Sequence, residues 1–160
     1  MQAAAFEPLL SPDGRHVAYS ASGSDGRIVV LPSAGGAAEV VYESKPPTSA
    51  EDWSSDGRFL VGHESAKRGL IIPLDKRQPP TVYADLPTGA TLDESRFSPD
   101  GKWLTYNAAD SGRQDVYLVR LPPTGERWQL SVAGGAQGRG RRAGENPPGP
   151  LHPDADVHRT

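Results

Sequence analysis

The sequence predicts an all-β protein of the β-propeller type, holding about three four-stranded antiparallel blades, an incomplete propeller, with an irregular C-terminal tail. Three observations carry this. Nearly the same turn is written three times, "SPDG" at Ser11–Gly14, "SSDG" at Ser54–Gly57 and "SPDG" at Ser98–Gly101. Their aspartates, Asp13, Asp56 and Asp100, are 43 and 44 residues apart. Short apolar runs rich in β-branched and aromatic residues recur at fixed offsets around each turn, and no window shows sustained helical periodicity.

Each unit reads in order. An apolar residue stands just before the turn: Leu10, Trp53, Phe97. A basic residue follows the turn glycine: Arg15, Arg58, Lys102. Then come a strand-like run, "HVAYS", "FLVGH" or "WLTYN", and a polar loop. A second run follows, "IVVL", "LII" or "VYLV", and then a Pro- or Gly-containing turn. A last short run closes the unit: "EVVYE", "TVYAD" or "RWQLS". Four strands in about 43 residues is the content of one propeller blade. The units are placed at approximately 6–48, 49–92 and 93–137, with 138–160 a disordered or degenerate tail.

The turn has a physical reason. Proline fixes φ at the first turn position, aspartate accepts bonds from nearby backbone N–H groups, and glycine supplies the positive φ of a tight hairpin. Each copy is read as the hairpin between a blade's first two strands. Ser55 replaces the proline in the middle copy and should leave that turn less pre-organised. One aspartate per blade, on separate turns, gives no metal cluster.

Composition agrees. The 160 residues include 18 Gly and 16 Pro, which favours many short elements. A net charge of −3 offers no basic field for nucleic acid. With no cysteine, disulfides, thiolate metal sites and a cysteine nucleophile are excluded. No apolar run has the length to span a bilayer. The start carries no signal peptide, so the chain as written is not addressed for export.

Reactive-looking residues are read conservatively. "GHES" at 62–65 lacks the G-x-S-x-G elbow of hydrolases. His63 aligns with Ser20 and Asn107 as a polar strand-end residue, and His16 aligns with Phe59 and Trp103 as a packing or rim residue. His152 and His158, with Asp154 and Asp156, lie in the tail. "AGGA" at 34–37 and 133–136 reads as hairpin turns, and "GRGRR" at 138–142 as a solvated basic cluster. Ser, His and Asp are present without triad spacing. Catalytic, cofactor and metal residues are therefore expected to be none.

The runs "WSSDGRFL", "FSPDGKWLTY" and "RWQLSVAGGAQ" resemble bacterial TolB-like, WD-repeat-like propeller repeats, from about Phe6 to Gln137. Residues 94–137 are most similar to propellers found downstream of bacterial serine/threonine kinase domains. The resemblance implies a closed propeller of at least four blades. This chain shows three units, and "GRGRRAGENPPGP" stands where a fourth is due, so an interrupted repeat is expected there. It also implies a non-catalytic module for protein binding or sensing. The alternatives are an accessory gating propeller of a prolyl-oligopeptidase-type hydrolase and a periplasmic TolB-like envelope or import component. The partners expected are a protein or remaining blades, with self-association through the open blade faces. Val29, Val41, Tyr83, Leu104 and Tyr117 are the outer-face residues expected in part to meet water.

Overall fold

The chain was described as a computed structural model that covers residues 5–21, 25–109 and 112–131. His152, His158, "GRGRR" and the second "AGGA" lie outside these described residues.

Among the described residues, twelve strands form three antiparallel four-stranded sheets. The first holds β1 (Ala5–Leu10), β2 (His16–Ala21), β3 (Gly26–Pro32) and β4 (Glu39–Ser44). The second holds β5 (Thr48–Trp53), β6 (Phe59–Glu64), β7 (Arg68–Pro73) and β8 (Thr81–Asp85). The third holds β9 (Thr91–Phe97), β10 (Trp103–Ala109), β11 (Gln114–Arg120) and β12 (Arg127–Gln129). Within every sheet the strands follow chain order, so each is a meander. The sheets are three blades of an incomplete β-propeller. The first strands β1, β5 and β9 approach one another from blade to blade, which makes them the inner strands.

The repeated turn joins each inner strand to the next. Gly14, Gly57 and Gly101 have φ of 71°, 74° and 68°, the left-handed region that glycine enters without a Cβ penalty. Each aspartate accepts the N–H two residues on, from Arg15, Arg58 and Lys102, at 3.0 Å. The serine does more than its propensity suggests. Its Oγ donates to that aspartate at 2.6–2.7 Å and accepts the N–H of His16, Phe59 or Trp103 at 2.9 Å. The carbonyls of Arg15, Arg58 and Lys102 then accept from Ser33, Leu74 and Leu121, tying the β3–β4, β7–β8 and β11–β12 connections to the same end. The first "AGGA" lies in the β3–β4 connection, with Gly35 at φ 89°.

Two apolar seams hold the blades together. Between the first and second lie Ala18, Ile28, Trp53, Leu60, Leu70 and Ile72. Between the second and third lie Val61, Tyr83, Leu92, Phe97, Leu104 and Tyr106. In a pleated sheet cross-strand partners share a face, so register decides which seam a residue joins. Leu60 faces backward, to the first blade, and Val61 forward, to the third.

The same rule corrects the expected outer faces. Leu104 and Tyr117 pair, through Val119 and Tyr106, with the buried side of the third blade. Tyr83 belongs to the middle blade and fills its forward seam, and Val41 packs against the first seam. Val29 alone of the five lies on the side turned away from both seams, and it too is buried, at 7% exposure. That face, defined by the pairings Leu10–Val17–Leu31 and Tyr19–Val29–Val40, is the backward side of the first blade. The forward side of the third blade carries Trp103, Thr105, Val116, Leu118 and Trp128.

Candidate binding surface

Turns and inner strands together position the candidate surface. At the S-x-D-G end, the second and third blades leave a cleft of about 280 Å³ lined by Asp52, Trp53, Ser55, Arg96, Phe97, Ser98 and Pro99. A second, of about 420 Å³, lies within the second blade between Arg58, Phe59, Leu74, Asp75 and Gln78. Both are made by turns that the repeat forces to one end. Ser55, which stands where the other copies have proline, donates its hydroxyl to the Pro99 carbonyl at 2.9 Å. Proline there could not donate, so the replacement links adjacent turns. The Trp53 indole N–H is buried with no partner among the described residues.

Behind the cleft the inner strands carry carboxylates. Glu51 accepts the Ser95 N–H at 3.0 Å, and Asp52 accepts the Phe97 N–H at 2.8 Å. Arg96 donates to the carbonyls of Glu51 and Ser95. His63 Nε2 stands 3.5 Å from Glu51, while its Nδ1 accepts the Ala66 N–H. An accepting Nδ1 places the neutral ring's proton on Nε2, toward the carboxylate. Burial raises the Glu51 carboxyl, but His63 and the Ser95 bonds outweigh it and hold it below the ordinary value. Burial pushes Asp52 up, against its bonds from Phe97 and Trp53.

His63 is thus more than a polar strand end: it is half of a pair with Glu51 inside the second blade, next to the Ser95 of the third. Sequence reasoning missed this pair, although the acids within "TSAEDW" and "TLDESRF" break the apolar pattern of a buried strand. His16 is exposed at the rim. Ser65 and Ala66 have φ of 51° and 50°, both positive, as a tight hairpin of the primed kind requires. They form the β6–β7 turn rather than a nucleophile elbow. Ser95, His63 and Glu51 do meet, but Ser95 Oγ bonds Tyr83, and Ser95 meets the Glu51 carboxylate through both its N–H and its side chain. Ser95 is fully buried. That arrangement positions no nucleophile. Among the described residues no cluster of three metal-ligating side chains occurs, and no helix is long and apolar enough to cross a membrane.

No family model matches the chain. An uncharacterized protein of Agrobacterium fabrum is 27% identical over 119 residues, which are 70% of this chain and 39% of that one. Among solved structures, TolB from Acinetobacter baumannii superposes with a TM-score of 0.67 at 20% identity, over 82% of this chain and 33% of that one. A putative TolB from Agrobacterium tumefaciens gives 0.60 at 21%, over 75% and 51%. The fold is that of a TolB-like propeller. The likeness is one of fold, and this chain spans between a third and about half the length of these proteins. Within this frame the inner-strand acids Glu51 and Asp52 bond across the seam between the second and third blades.

Proposed function

We propose that this chain is a non-catalytic binding module that receives an extended segment of a protein partner at the S-x-D-G end of its blades. One observation carries the reading. The buried ionisable groups near the first cleft are engaged in structure: Glu51 with His63 and Ser95, Asp52 with Phe97. What the blades leave available is shape and backbone, in a cleft rimmed by Trp53, Phe97 and Pro99. Fold-level likeness to TolB supports a binding role by analogy only. Attachment to a kinase, gating of a hydrolase and a role in the envelope each depend on sequence beyond the residues described, and none of the bonds above favours one of them.

Peptides selected for binding to the folded chain test this. Their affinity should fall at least tenfold with Ser55→Arg, which fills the cleft, and stay within about twofold with Arg77→Ala outside it. Selection that yields only binders indifferent to Ser55→Arg would overturn the reading.

A further inference from the structure

Arg96 is the one cation among the residues that line the cleft between the second and third blades. It is half-buried, and its Nη1 donates to the carbonyls of Glu51 at 2.6 Å and Ser95 at 2.9 Å. These two bonds hold the guanidinium against the inner strands. They supply no negative charge.

Among the described residues Arg96 forms no ion pair with a carboxylate. The two acids of the adjoining strand β5 are committed elsewhere. Glu51 accepts the Ser95 N–H and stands against His63, and Asp52 accepts the Phe97 N–H. A partly buried guanidinium ordinarily has a carboxylate partner, because an unpaired charge is costly to desolvate. Here the strands fix the cation in place and leave its charge unanswered.

The part of the guanidinium that remains has a definite shape. Nε and Nη2 bond no described residue, and together they form one edge of the arginine fork. That edge matches the two oxygens of a carboxylate. The serines along the cleft are already in use. Ser55 donates to the Pro99 carbonyl, and Ser98 donates to Asp100 while accepting the Trp103 N–H. Trp53, Phe97 and Pro99 make the apolar rim.

We propose that Arg96 sets the specificity of this cleft by taking the side-chain carboxylate of an aspartate or glutamate in the partner segment, whose flanking apolar residues lie on the rim. The inference rests on the peptide-binding reading above and adds what the peptide must carry. A carboxylate suits the site better than a phosphate. One guanidinium balances one negative charge, and a phosphate group, with about −1.5 to −2 charges, brings a surplus beside Asp52. A side chain suits it better than a chain end. The cleft lies between two turns, so the partner's main chain can pass over the rim while one side chain reaches down to Arg96.

Selection of random heptapeptides with free C-termini on the full chain tests this. Binders lost with Ser55→Arg should carry Asp or Glu at one fixed position. Replacing that acid by its amide in a synthetic binder should weaken binding about tenfold or more, as a bidentate charge-assisted pair is lost. Phosphoserine at that position should bind more weakly than the acid, and amidation of the C-terminus should change affinity by less than about twofold. On Arg96→Gln the acid and amide peptides should bind within about twofold of each other. On Arg96→Lys the preference should fall to roughly threefold, since the charge stays and the fork goes. The ratio of two peptides on one protein is the readout, because lost stability lowers both affinities together. Should Arg96→Gln not fold, the Arg96→Lys ratio decides. Ser55→Arg-sensitive binders with no acidic position, an acid preference untouched by the Arg96 variants, tighter binding of phosphoserine, or dependence on the C-terminal carboxylate would each overturn the proposal and leave the cleft a peptide site. Binders that are all indifferent to Ser55→Arg would overturn both this proposal and the peptide reading.

Discussion

Leu10 and Trp53 occupy the same place in consecutive blades, each opposite the second residue of the following strand, yet Leu10 is 62% exposed and Trp53 only 8%. The difference is the neighbour: Trp53 has the first blade behind it, and Leu10 has no blade behind it among the described residues. Trp53→Ala should therefore cost about 3–5 kcal/mol by urea denaturation. Leu10→Ala should change stability by no more than about 0.5 kcal/mol. Equal losses at the two positions would mean that the blades do not share one packing scheme.

Ser54 is 5% exposed and serves two bonds, to Asp56 and from the Phe59 N–H. Ser54→Ala leaves that N–H without its partner, at an expected cost of about 1–3 kcal/mol. Ser54→Asp should recover little, since a second carboxylate would face Asp56. Chemical denaturation of the three proteins measures both effects.

Two glycines are required for different reasons. At Gly101 an added Cβ would meet nothing within 4 Å, so only its φ of 68° resists substitution. Gly101→Val should lower stability by about 1–3 kcal/mol and leave the seams intact. At Gly69 a Cβ would run into the Tyr83 ring. Gly69→Ala should displace Tyr83 from Ser95 and from its packing on Tyr106. Near-ultraviolet circular dichroism from the tyrosines should change for Gly69→Ala and not for Gly101→Val.

Glu51 sets part of the acid response. Its folded pKa lies below the ordinary 4.5. Its contribution is complete above the unfolded value and is lost as pH falls through the depressed folded value. Glu51→Gln should flatten the stability profile in that window. Asp52, held high by burial, runs the other way, its ionisation costing stability as pH rises through its raised value. Because it is present in both proteins, the difference between their profiles reports mainly Glu51. Thermal melts from pH 3 to 7 give the profiles. An unchanged slope in the acid range would remove Glu51 from the seam's electrostatics.

The repeat was legible because a turn must be spelled. Positive φ at Gly14, Gly57 and Gly101 and the aspartate bonds need those residue types, so the hairpins and their order could be read directly. Faces could not. A run such as "VYLV" alternates between two apolar environments, and a single-residue shift exchanges them. Leu104 and Tyr117 were accordingly expected outside and lie inside. Bulges add to the difficulty: the register shifts between Ala50 and Asp52 in β5, which turns Glu51 toward His63 and Ser95. The middle serine also has a role that its own turn does not show. Its value lies in Pro99, a residue 44 positions away that no local rule connects to it.

The N–H groups of Ala50, Ser95 and Phe97 all bond side chains that precede them in the chain. During synthesis the acceptors of a blade are therefore finished before the strand that needs them leaves the ribosome. A nascent blade can dock at once on a completed surface, and its inner-strand edge is covered before a neighbouring polypeptide can pair with it. The seam's polarity thus runs in the direction of translation, and an arrested chain would stop with an acceptor face exposed rather than a bare strand edge.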